Sequence, residues 1–529
     1  MKHYLIEVTI GPVQDFIASA RKLRDLWFGS DLLSELSKTI ARSLHQQGAE
    51  LVFPSIDDET DLSKNSQLIV ANKILVRITT DEHPDTVIKK ARADWIKHWQ
   101  EIIEVSLAEI HKKPSVSKNV NEKVYRQQLN DFGEFYAVWV ETTDDNQGYH
   151  QAKQALDKIM SARKSVRLFS APTWNGEGIP KSSLDGIKEA VIGDGLAEIK
   201  GLVKKNERLD ALACVKRFYP LSPGLSRKRR QFDDLESIAS SSHRNAILNS
   251  FGDDNDQDPN KYACILLGDG DHMGKAIDAI KNKKGHQAFS RELGKFAENV
   301  KETIEDHQGS LIYAGGDDVM AYVPLFSAIQ CADEIRKNFA ATMREVFKQL
   351  KLSSTPPTFS IGLATVHHSE PLSNALNLAR QAEQIAKQQG GRNALAVVQH
   401  KRGGSDLVVY GKWQEGEKQG IAQRLQLMAD LHEANILPST LGYQLRQVRV
   451  DSGDEMDFTI NADNLVANNA TAALVQRILQ QKNKAEELKP KLLSILAHQK
   501  SVRQLSDEMV IAKQFSEDQK IYNAVGVGG

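Results

Sequence analysis

Short apolar runs alternate with longer amphipathic stretches through the first 160 residues of the chain. The apolar runs are rich in β-branched and aromatic residues, which is typical of strands; they fall at residues 4–10, 73–79 and 135–141, with a weaker one at 51–53. Residues 13–45 and 86–110 carry apolar positions at helical spacing. The order strand–helix–strand–strand–helix–strand predicts a ferredoxin-like sheet over residues 1–160.

The same order returns more clearly between residues 258 and 404. The pattern predicts strands at 262–267, 310–314, 319–323 and 358–365, helices at 288–307, 326–350 and 372–389, and a last strand at 394–398. A four-residue turn joins the second and third strands. We interpret this segment as a second ferredoxin-like domain with one extra strand, which makes the fold class α+β. Residues 161–257 are less regular, with a strand predicted at 209–216, and residues 405–529 are mostly helical in pattern.

Composition indicates a globular protein with several cores, since the chain has 529 residues, of which 40% are hydrophobic and 26% charged. The formal net charge of -1 does not exclude a nucleic-acid partner, because a sum hides local basic patches. Cys214, Cys264 and Cys331 lie far apart, which argues against a disulfide scaffold and favours a reducing, cytoplasmic setting. The N-terminus lacks a signal-peptide core, and no apolar run approaches the roughly 20 residues of a membrane helix.

Carboxylates stand at two matched strand ends of the second ferredoxin-like domain. In chain order they are Asp269, Asp271, Asp317 and Asp318. The first strand of such a domain lies beside the hairpin, so these side chains can face one another across about one strand spacing. Converging oxygen ligands suit Mg²⁺ or Mn²⁺. Alone, the motif at 269–271 is more often a plain turn, and the motif at 315–318 is as plausibly a plain hairpin turn as a site. The pair favours two metal ions that clamp an in-line displacement at phosphorus.

Several neighbouring residues bear on nucleotide binding. Gly315 and Gly316 lack side chains, so a nucleotide could approach the backbone closely. Lys387 could reach a triphosphate, or it could be a solvated cation at a helix C-terminus. Lys275 follows a glycine, but the surrounding spacing is not that of a P-loop. Residues 253–258 lack the central Gly and late Glu of a calcium-binding EF-hand loop and are interpreted as a linker.

Five segments of the chain carry a resemblance to a known family. They are IGPVQDFIASARKLRDLWFGSDLLS near the N-terminus, ERLDALACVKRF at 207–218, GDGDHMGK at 268–275, YAGGDDVMAYVP at 313–324 and FSIGLATVHHSEPLSNALNLARQAEQIAKQQGGRN at 359–393. The chain resembles the large, cyclase-bearing subunit of type III CRISPR effector complexes, closest to the Cmr-type (III-B) branch. The resemblance spans most of residues 1–405. It implies palm domains at 1–160 and 258–404, a helical middle domain at 161–257 and a helical C-terminal domain at 405–529.

The resemblance also implies an activity, in which cyclic oligoadenylate messengers are made from ATP when the guide RNA of a multi-subunit complex pairs with a target RNA. The 3′-hydroxyl of one ATP would attack the α-phosphate of the next, and pyrophosphate would leave. Asp269, Asp317 and Asp318 would be catalytic and hold two Mg²⁺ or Mn²⁺ ions, with Asp271 a weaker candidate ligand. The residues that would contact the nucleotide are Gly270, Gly315, Gly316 and Lys387. The first palm, which has no such carboxylate pair, would be a non-catalytic partner.

Two features depart from the family's pattern. Many members begin with an HD nuclease domain, whereas here the palm-like pattern starts at Met1 and no His-Asp dipeptide occurs, so no DNase activity of that type is expected. At residues 181–186, KSSLDG stands where relatives can carry a K-C-x-x-C-G zinc knuckle. Ser182 and Asp185 replace the two cysteines and do not give the soft tetrahedral site that zinc prefers, so no zinc is expected.

Two other functions stay open at this point. A diguanylate cyclase shares the palm, but its turn is Gly-Gly-Asp/Glu-Glu-Phe, whereas Asp318 and Val319 occupy the last two positions here. The other is a scaffold that binds RNA and proteins through a silent palm, against which the intact carboxylate set argues. The basic run at 227–230 and the basic C-terminal residues could contact an RNA backbone or be a solvated surface.

Overall fold

The computed structural model describes residues 1–21, 23–63, 66, 68–130, 132–166, 178–184, 186–193, 199, 202–223, 262–367, 370–401, 403–415, 418–452 and 502–526. Strands and helices are mixed throughout these ranges, and the predicted α+β class is confirmed. The basic run at 227–230, the acidic segment at 253–258 and Asp185 lie outside the described residues.

The first sheet has four strands: β1 (Lys2–Gly11), β2 (Glu50–Phe53), β3 (Lys73–Thr80) and β4 (Glu134–Thr142). Their spatial order is β2-β3-β1-β4 with antiparallel neighbours, which is the ferredoxin-like arrangement that the hydrophobic pattern predicts. The helices of this part are α1 (Val13–Ala18), α2 (Leu23–Gln46), α3 (Pro84–His111), α4 (Pro114–Ser117), α5 (Glu122–Asn130) and α6 (Asn146–Ser165), with a 3₁₀ helix at Glu59–Leu62. Because side chains alternate along a strand, one face of β1 packs on α2 and α3 and the other on α6.

The strand predicted at 209–216 is wrong, because these residues largely form a helix, α7 (Ala211–Phe218), followed by a 3₁₀ helix at Tyr219–Leu221. Asp210 caps α7, since its Oδ1 accepts a hydrogen bond from the Ala213 N–H at 2.9 Å. Every residue of α7 is buried, including Lys216 and Arg217, and the short apolar run at 211–215 does not by itself distinguish a helix from a strand. Buried Arg217 ties α7 to the first domain through Asp25, at 3.0 Å, and also pairs with Glu207, just before α7, at 2.7 Å.

Ser182, at the position of the first cysteine in the knuckle pattern, is buried beside α7. Its hydroxyl donates to Oδ2 of Asp210 at 2.8 Å, on the same carboxylate that caps the helix. Hydrogen bonds therefore hold this segment against α7. The expectation that no zinc binds there stays a prediction.

The second sheet has six strands: β5 (Tyr262–Asp271), β6 (Ser310–Gly315), β7 (Asp318–Val323), β8 (Thr358–His367), β9 (Ala394–Gln399) and β10 (Leu407–Lys412). Their order is β10-β9-β8-β5-β7-β6, in which β6-β7-β5-β8 repeats the ferredoxin-like order and β9 joins β8 in parallel. The intervening helices are α8 (Met273–Ala279), α9 (Lys283–Asp306), α10 (Leu325–Gln349) and α11 (Leu372–Gln388). The sheet extends past residue 404 to β10, which the sequence pattern had assigned to the helical C-terminal domain.

The remaining described elements are a small hairpin of β11 (Gln414–Glu415) and β12 (Lys418–Gln419), and the helices α12 (Ile421–Glu433), α13 (Leu441–Ser452) and α14 (Val502–Gly526). These helices share one apolar cluster with α9, α10 and one face of the second sheet. A buried ion pair of 2.8 Å, Arg424 with Glu508, joins α12 to α14. Among the helices in the described ranges, none is both long and apolar enough to cross a membrane.

The two sheets belong to one packed body. The opposite face of the second sheet and α11 share an apolar cluster with β1, α2 and α3 of the first domain. Two hydrogen bonds also join the domains. The Ser55 N–H donates to the Ser290 hydroxyl at 2.9 Å, and the Gln287 side chain donates to the Leu51 carbonyl at 2.8 Å. Both Ser290 and Gln287 lie on α9, so this helix contacts both domains.

Candidate active site

Antiparallel pairing brings the predicted carboxylates together. Asp269 on β5 lies directly opposite Asp318 on β7, and the Gly270 N–H donates to the Asp317 carbonyl at 3.2 Å. The side chains of Asp269 and Asp318 point to the same face of the sheet, the face covered by α11, because they are cross-strand partners. The proximity expected from the two sequence motifs is therefore present.

The turn between β6 and β7 has two residues, Gly316 and Asp317, rather than the predicted four, because the strands continue to the paired residues Gly315 and Asp318. Gly316 has a φ of +66°, and a Cβ built on it would meet no atom within 4 Å. Two-residue hairpins favour Gly at a first position of positive φ. Gly316 thus leaves open backbone at the hairpin tip, as expected for a nucleotide contact, although its role in binding stays a prediction.

Gly315 has a different environment from the one expected. A Cβ at this position would lie 2.0 Å from the hydroxyl oxygen of Tyr313, because the tyrosine leans along β6 over the glycine. Tyr313, Gly315 and Asp318 share the α11 face of the sheet through the pairs Tyr313 with Met320 and Gly315 with Asp318. The phenol therefore lies beside the carboxylates, and the space at Gly315 is already filled by protein.

At Gly270, too, neighbouring atoms leave no room for a side chain. A Cβ there would lie 2.9 Å from the Asp317 Cβ and 2.7 Å from the Met273 Cγ. Any side chain would push the hairpin away from β5. The structure thus gives Gly270 a steric role in placing Asp317, while direct contact with a nucleotide stays a prediction.

Lys387, on the last turn of α11, reaches the carboxylates. Its ammonium nitrogen contacts Oδ2 of Asp269 and lies 2.6 Å from Oε1 of Glu383, one helical turn earlier. Burial alone would lower the pKa of Lys387, but the contacts with Asp269 and Glu383 raise that pKa above its ordinary value. Lys387 is therefore a charged site residue and not a solvated cation at a helix end. Its predicted contact with a phosphate is untested.

Asp271, the weaker candidate ligand, has a structural environment. It is buried, and its carboxylate accepts hydrogen bonds from the Thr358 hydroxyl at 2.7 Å, from the Ser360 hydroxyl at 2.8 Å and from the Asn393 N–H at 2.8 Å. These donors belong to β8 and to the turn after α11. Asp271 ties the end of β5 to both.

The carboxylates at the hairpin hold their protons unusually strongly. Removal from water, followed by the negative charge of Asp269, raises the pKa of Asp317 to about 6. The same loss of hydration, a hydrogen bond with Asp269 and the charge of Asp317 raise the pKa of Asp318 to about 9, although part of this side chain remains exposed. Burial, and then the charges of Asp318 and Asp317, raise the pKa of the Tyr313 hydroxyl well above its ordinary value. The site therefore favours a cation among its acids.

The three aspartates offer the oxygen ligands that a divalent cation prefers, but the side chains are not all placed to bind one. Asp269, Asp317 and Asp318 are hard oxygen ligands, and an ammonium cation already lies on Asp269. In the part of the chain that the structure describes, however, no group of three or more His, Cys, Asp or Glu side chains is arranged to hold a metal ion. A metal on Asp269 therefore requires the Lys387 ammonium to move.

Sequence reasoning missed two residues of this site, Tyr313 and Glu383. Tyrosine is an ordinary strand residue, so its presence in β6 carried no signal by itself. The spacing Tyr-x-Gly was a usable signal, because residues two positions apart lie on the same face of a strand. Glu383 precedes Lys387 by four positions, which is indistinguishable from an ordinary helix ion pair.

The fold and the paired strand ends define a protein with two ferredoxin-like palm domains, of which the second carries the carboxylate hairpin. Residues 262–396 match the family model for the second palm domain of Cas10/Cmr2, and residues 5–104 match that for the N-terminal part of the CRISPR-associated protein Cmr2. The chain belongs to the Cas10/Cmr2 family and is of the Cmr, type III-B, kind.

A curated relative and solved structures agree with this assignment. The Cmr subunit Cmr2 of the Pyrococcus furiosus CRISPR system is 24% identical over 558 aligned positions, which cover 78% of this chain and 63% of that protein. The chain thus spans less than two thirds of that relative's length. The expected absence of an HD nuclease domain stays a prediction.

Among solved structures, a chain of the type III-B Cmr-beta complex in its apo state gives a TM-score of 0.66 at 12% identity, covering 98% of this chain and 82% of that one. Cmr-beta bound to cognate target RNA gives 0.60 at 12% identity, covering 98% and 83%. A Csm1–Csm4 cassette in complex with pppApApA gives 0.52 at 14% identity, covering 98% and 69%. At these identities the likeness concerns the fold.

Proposed function

We propose that this chain is a nucleotidyltransferase that joins ATP into cyclic oligoadenylates as the large subunit of a type III CRISPR effector complex. The observation that carries the proposal is the pairing of Asp269 with Asp318 across β5 and β7, with Asp317 at the hairpin tip. Family membership supports it, because the second palm of this family is a nucleotidyltransferase-like domain. Two Mg²⁺ or Mn²⁺ ions bound by these carboxylates would activate a hydroxyl and neutralise the leaving pyrophosphate.

The chain's own residues fit this reaction in defined roles. The open backbone at Gly316 accepts the nucleotide beside the hairpin tip. Lys387 supplies a positive charge for the triphosphate once its ammonium has left Asp269. One 3′-oxygen bonds to the α-phosphorus of a second ATP, the bond from that phosphorus to the β-phosphate bridging oxygen breaks, and pyrophosphate leaves. The hydroxyl proton is released in the same step.

The proposal includes partners. Cmr-beta, whose fold this chain shares, has been described bound to cognate target RNA, which supports a guide RNA, a target RNA and other protein subunits as partners here. Pairing of guide and target would switch synthesis on. An RNA-gated enzyme of this kind would work in the cytoplasm, where ATP and transcripts are present.

One alternative has a specific observation in its favour. The Lys387 ammonium occupies Asp269, as would suit a silent palm in a scaffold subunit that binds RNA and proteins. A GTP-specific diguanylate cyclase is the other alternative, and it shares the palm fold. The two alternatives predict different outcomes in one experiment.

The test is mass spectrometry of products from the reconstituted complex with matched target RNA and Mn²⁺, supplied with ATP or GTP in separate reactions. We expect cyclic oligoadenylates from ATP and no product without target RNA. The control is the double variant Asp317→Ala with Asp318→Ala, which should assemble normally and make no product. Turnover of GTP alone would support the diguanylate cyclase, and an assembled complex with no product would support the scaffold.

A further inference from the structure

Glu383 has no role in the activity proposed so far, yet it makes a short contact inside the site. Its Oε1 lies 2.6 Å from the Lys387 ammonium, which also contacts Asp269. The Glu383 side chain is only 15% exposed and that of Lys387 only 24%. The ammonium therefore lies between two carboxylates. That of Asp269 belongs to the proposed metal site, and that of Glu383 does not.

We propose that Glu383 is a positioning residue that keeps Lys387 within the site when its ammonium leaves Asp269 to admit a divalent cation and a nucleotide. This inference rests on the proposed function, because it assumes that Asp269 binds the cation. A cation on Asp269 repels the ammonium, and the Glu383 carboxylate gives the ammonium a second partner nearby. From that partner the ammonium can reach a phosphate.

Backbone packing fixes the positions from which the two carboxylates extend, and the longer lysine side chain has the most freedom to change its position. α11 lies directly on β8, since a Cβ on Gly362 would be 2.2 Å from the Glu383 backbone nitrogen and 2.5 Å from the Ala382 carbonyl carbon. Gly362 in turn pairs with Leu267, two residues before Asp269 on β5. The backbones of Glu383 and Asp269 are thus held at a set separation, whereas Lys387 has four methylene groups with which to move its ammonium between the two carboxylates.

Charge favours such a move. Asp269, Asp317, Asp318 and Glu383 place four carboxyl groups around one ammonium, and metal binding would neutralise the first three. Without Glu383, the ammonium would have Asp269 as its sole carboxylate among these contacts and would compete with the metal. Removing Glu383 should therefore weaken metal binding, even though Glu383 is not expected to touch the metal.

The experiment measures Mn²⁺ binding to the full chain by electron paramagnetic resonance, without nucleotide. Glu383→Gln should weaken Mn²⁺ binding about fivefold, as expected for one partly exposed ion pair, and Glu383→Asp should restore part of it. Lys387→Met removes the competing ammonium and should tighten binding. Glu298→Gln, a matched loss of one exposed carboxylate on α9, should leave binding unchanged.

In the assembled complex at saturating Mn²⁺, Glu383→Gln should raise KM for ATP more than it lowers kcat.

A double variant identifies the route of the effect. If Glu383 acts through Lys387, Glu383→Gln should have no further effect on Mn²⁺ binding when Lys387→Met is already present. An equal loss in both backgrounds would show that Glu383 acts on the metal independently of Lys387, and wild-type binding by Glu383→Gln would show that Glu383 does not affect the metal. Either result would overturn the inference. Asp269→Asn distinguishes the two proposals: if it binds Mn²⁺ like the wild type, the metal site and the inference both fall. If Asp269→Asn loses Mn²⁺ binding while Glu383→Gln retains it, only the inference about Glu383 is contradicted.

Discussion

Gly315 and Gly316 are adjacent in the hairpin, yet the structure requires a glycine at each for a different reason. At Gly315 the phenol of Tyr313 fills the space of a side chain, and at Gly316 the backbone has a φ of +66° in open surroundings. The first requirement is steric and the second is conformational. The pattern of two glycines before two acids therefore combines a packing site for Tyr313 with a turn.

The steric requirement gives the first prediction. Gly315→Ala should lower the free energy of unfolding by about 1–3 kcal/mol, because the new methyl group collides with Tyr313 and overpacks the strand. Gly274→Ala on α8 is the matched control, since its Cβ would meet no atom within 4 Å and alanine favours a helix. Urea unfolding checks both variants. Equal stability of Gly315→Ala and the wild type would show that Tyr313 does not cover Gly315 in solution.

The acids beside Tyr313 give a prediction on pH. In the folded protein without metal, the pKa values of Asp317 and Asp318 are raised to about 6 and about 9, above the ordinary 3.8. The folded state therefore binds more protons than the unfolded state between about pH 4 and 9, and stability falls as the pH rises through that window. Asp318→Asn should remove much of the fall.

The measurement is the Tm in EDTA at pH 5.5 and 8.5. At pH 8.5, Asp318→Asn should melt above the wild type, by about 2 °C and not much more, because solvent screens this partly exposed carboxylate. Asp306→Asn, which removes an exposed acid at the end of α9, should follow the wild type. Identical pH dependence in Asp318→Asn and the wild type would contradict a raised pKa at Asp318.

The positions of these acids could be predicted from sequence, whereas their surroundings could not. Strand period and domain topology are enough to place Asp269 opposite Asp318, because a ferredoxin-like order leaves one register for the buried faces. The contacts of Tyr313 and Glu383 depend on side-chain directions and on the height of α11 above the sheet, and neither is encoded in hydrophobic spacing. Lys387 was ambiguous for the same reason.

Among the secondary-structure elements, α11 controls the geometry of the site through its closeness to β8. Gly362 permits that closeness, because backbone atoms of Ala382 and Glu383 occupy the space of its missing side chain. The helix ends at Gln388, and its last turn presents Lys387 to β5. A small displacement of α11 would therefore move the ammonium away from Asp269.

Gly362→Ala tests this dependence. The methyl group would meet backbone atoms, which cannot rotate away, so we expect a loss of about 1–3 kcal/mol in stability and a rise in KM for ATP in the assembled complex. Gly294→Ala within α9 is the control, because its Cβ would meet no atom within 4 Å. Urea unfolding and steady-state kinetics provide the two readouts. A destabilised Gly362→Ala with an unchanged KM would separate α11 from nucleotide binding.

Elements with alternating or amphipathic patterns were predictable, and the errors fall where the pattern is uniform or late in the chain. Residues 211–215 of α7 form a short, uniformly apolar run, so only the cap at Asp210 distinguished a helix from a strand. β10 has the β-branched residues of a strand, but it follows the glycines at 403–404 and begins a region whose pattern is mostly helical. Its pairing with β9 is a tertiary contact that local spacing does not reveal.

At the scale of the whole molecule, a buried hydrogen-bond chain connects the first domain to the carboxylate site. The Tyr149 hydroxyl on α6 donates to Nδ1 of His286 on α9 at 2.7 Å, and His286 Nε2 donates to the Ile277 carbonyl on α8 at 2.9 Å. α8 directly follows the β5 end that carries Asp269. The neutral imidazole thus links α6 of the first domain to α8, the helix beside the site, and is a joint between the two domains.

Burial lowers the pKa of His286 to about 4, and of the charged groups around it Lys153 and His150 lower it further while Asp157 raises it. Below its ordinary value of 6.5 the unfolded chain binds a proton that the folded protein excludes. The stability contributed by neutral His286 is therefore complete above about pH 6.5 and is lost as the pH falls towards 4. This direction is opposite to that of Asp317 and Asp318, so a variant is needed to isolate it.

His286→Asn removes the titrating group and leaves Tyr149 without its ring acceptor. At pH 7.5 the wild type should be more stable than His286→Asn by about 1–2 kcal/mol, the cost of a disturbed buried hydrogen bond. At pH 5 that difference should close, because excluding the proton from His286 then costs the wild type about 2 kcal/mol. His83→Asn is the control, since His83 is 62% exposed and Asn also caps a helix, so its effect on stability should be small at both pH values. A difference for His286→Asn that stays constant from pH 7.5 to 5 would show that this imidazole titrates in the folded protein as it does in water, and that the joint between the domains is open to solvent.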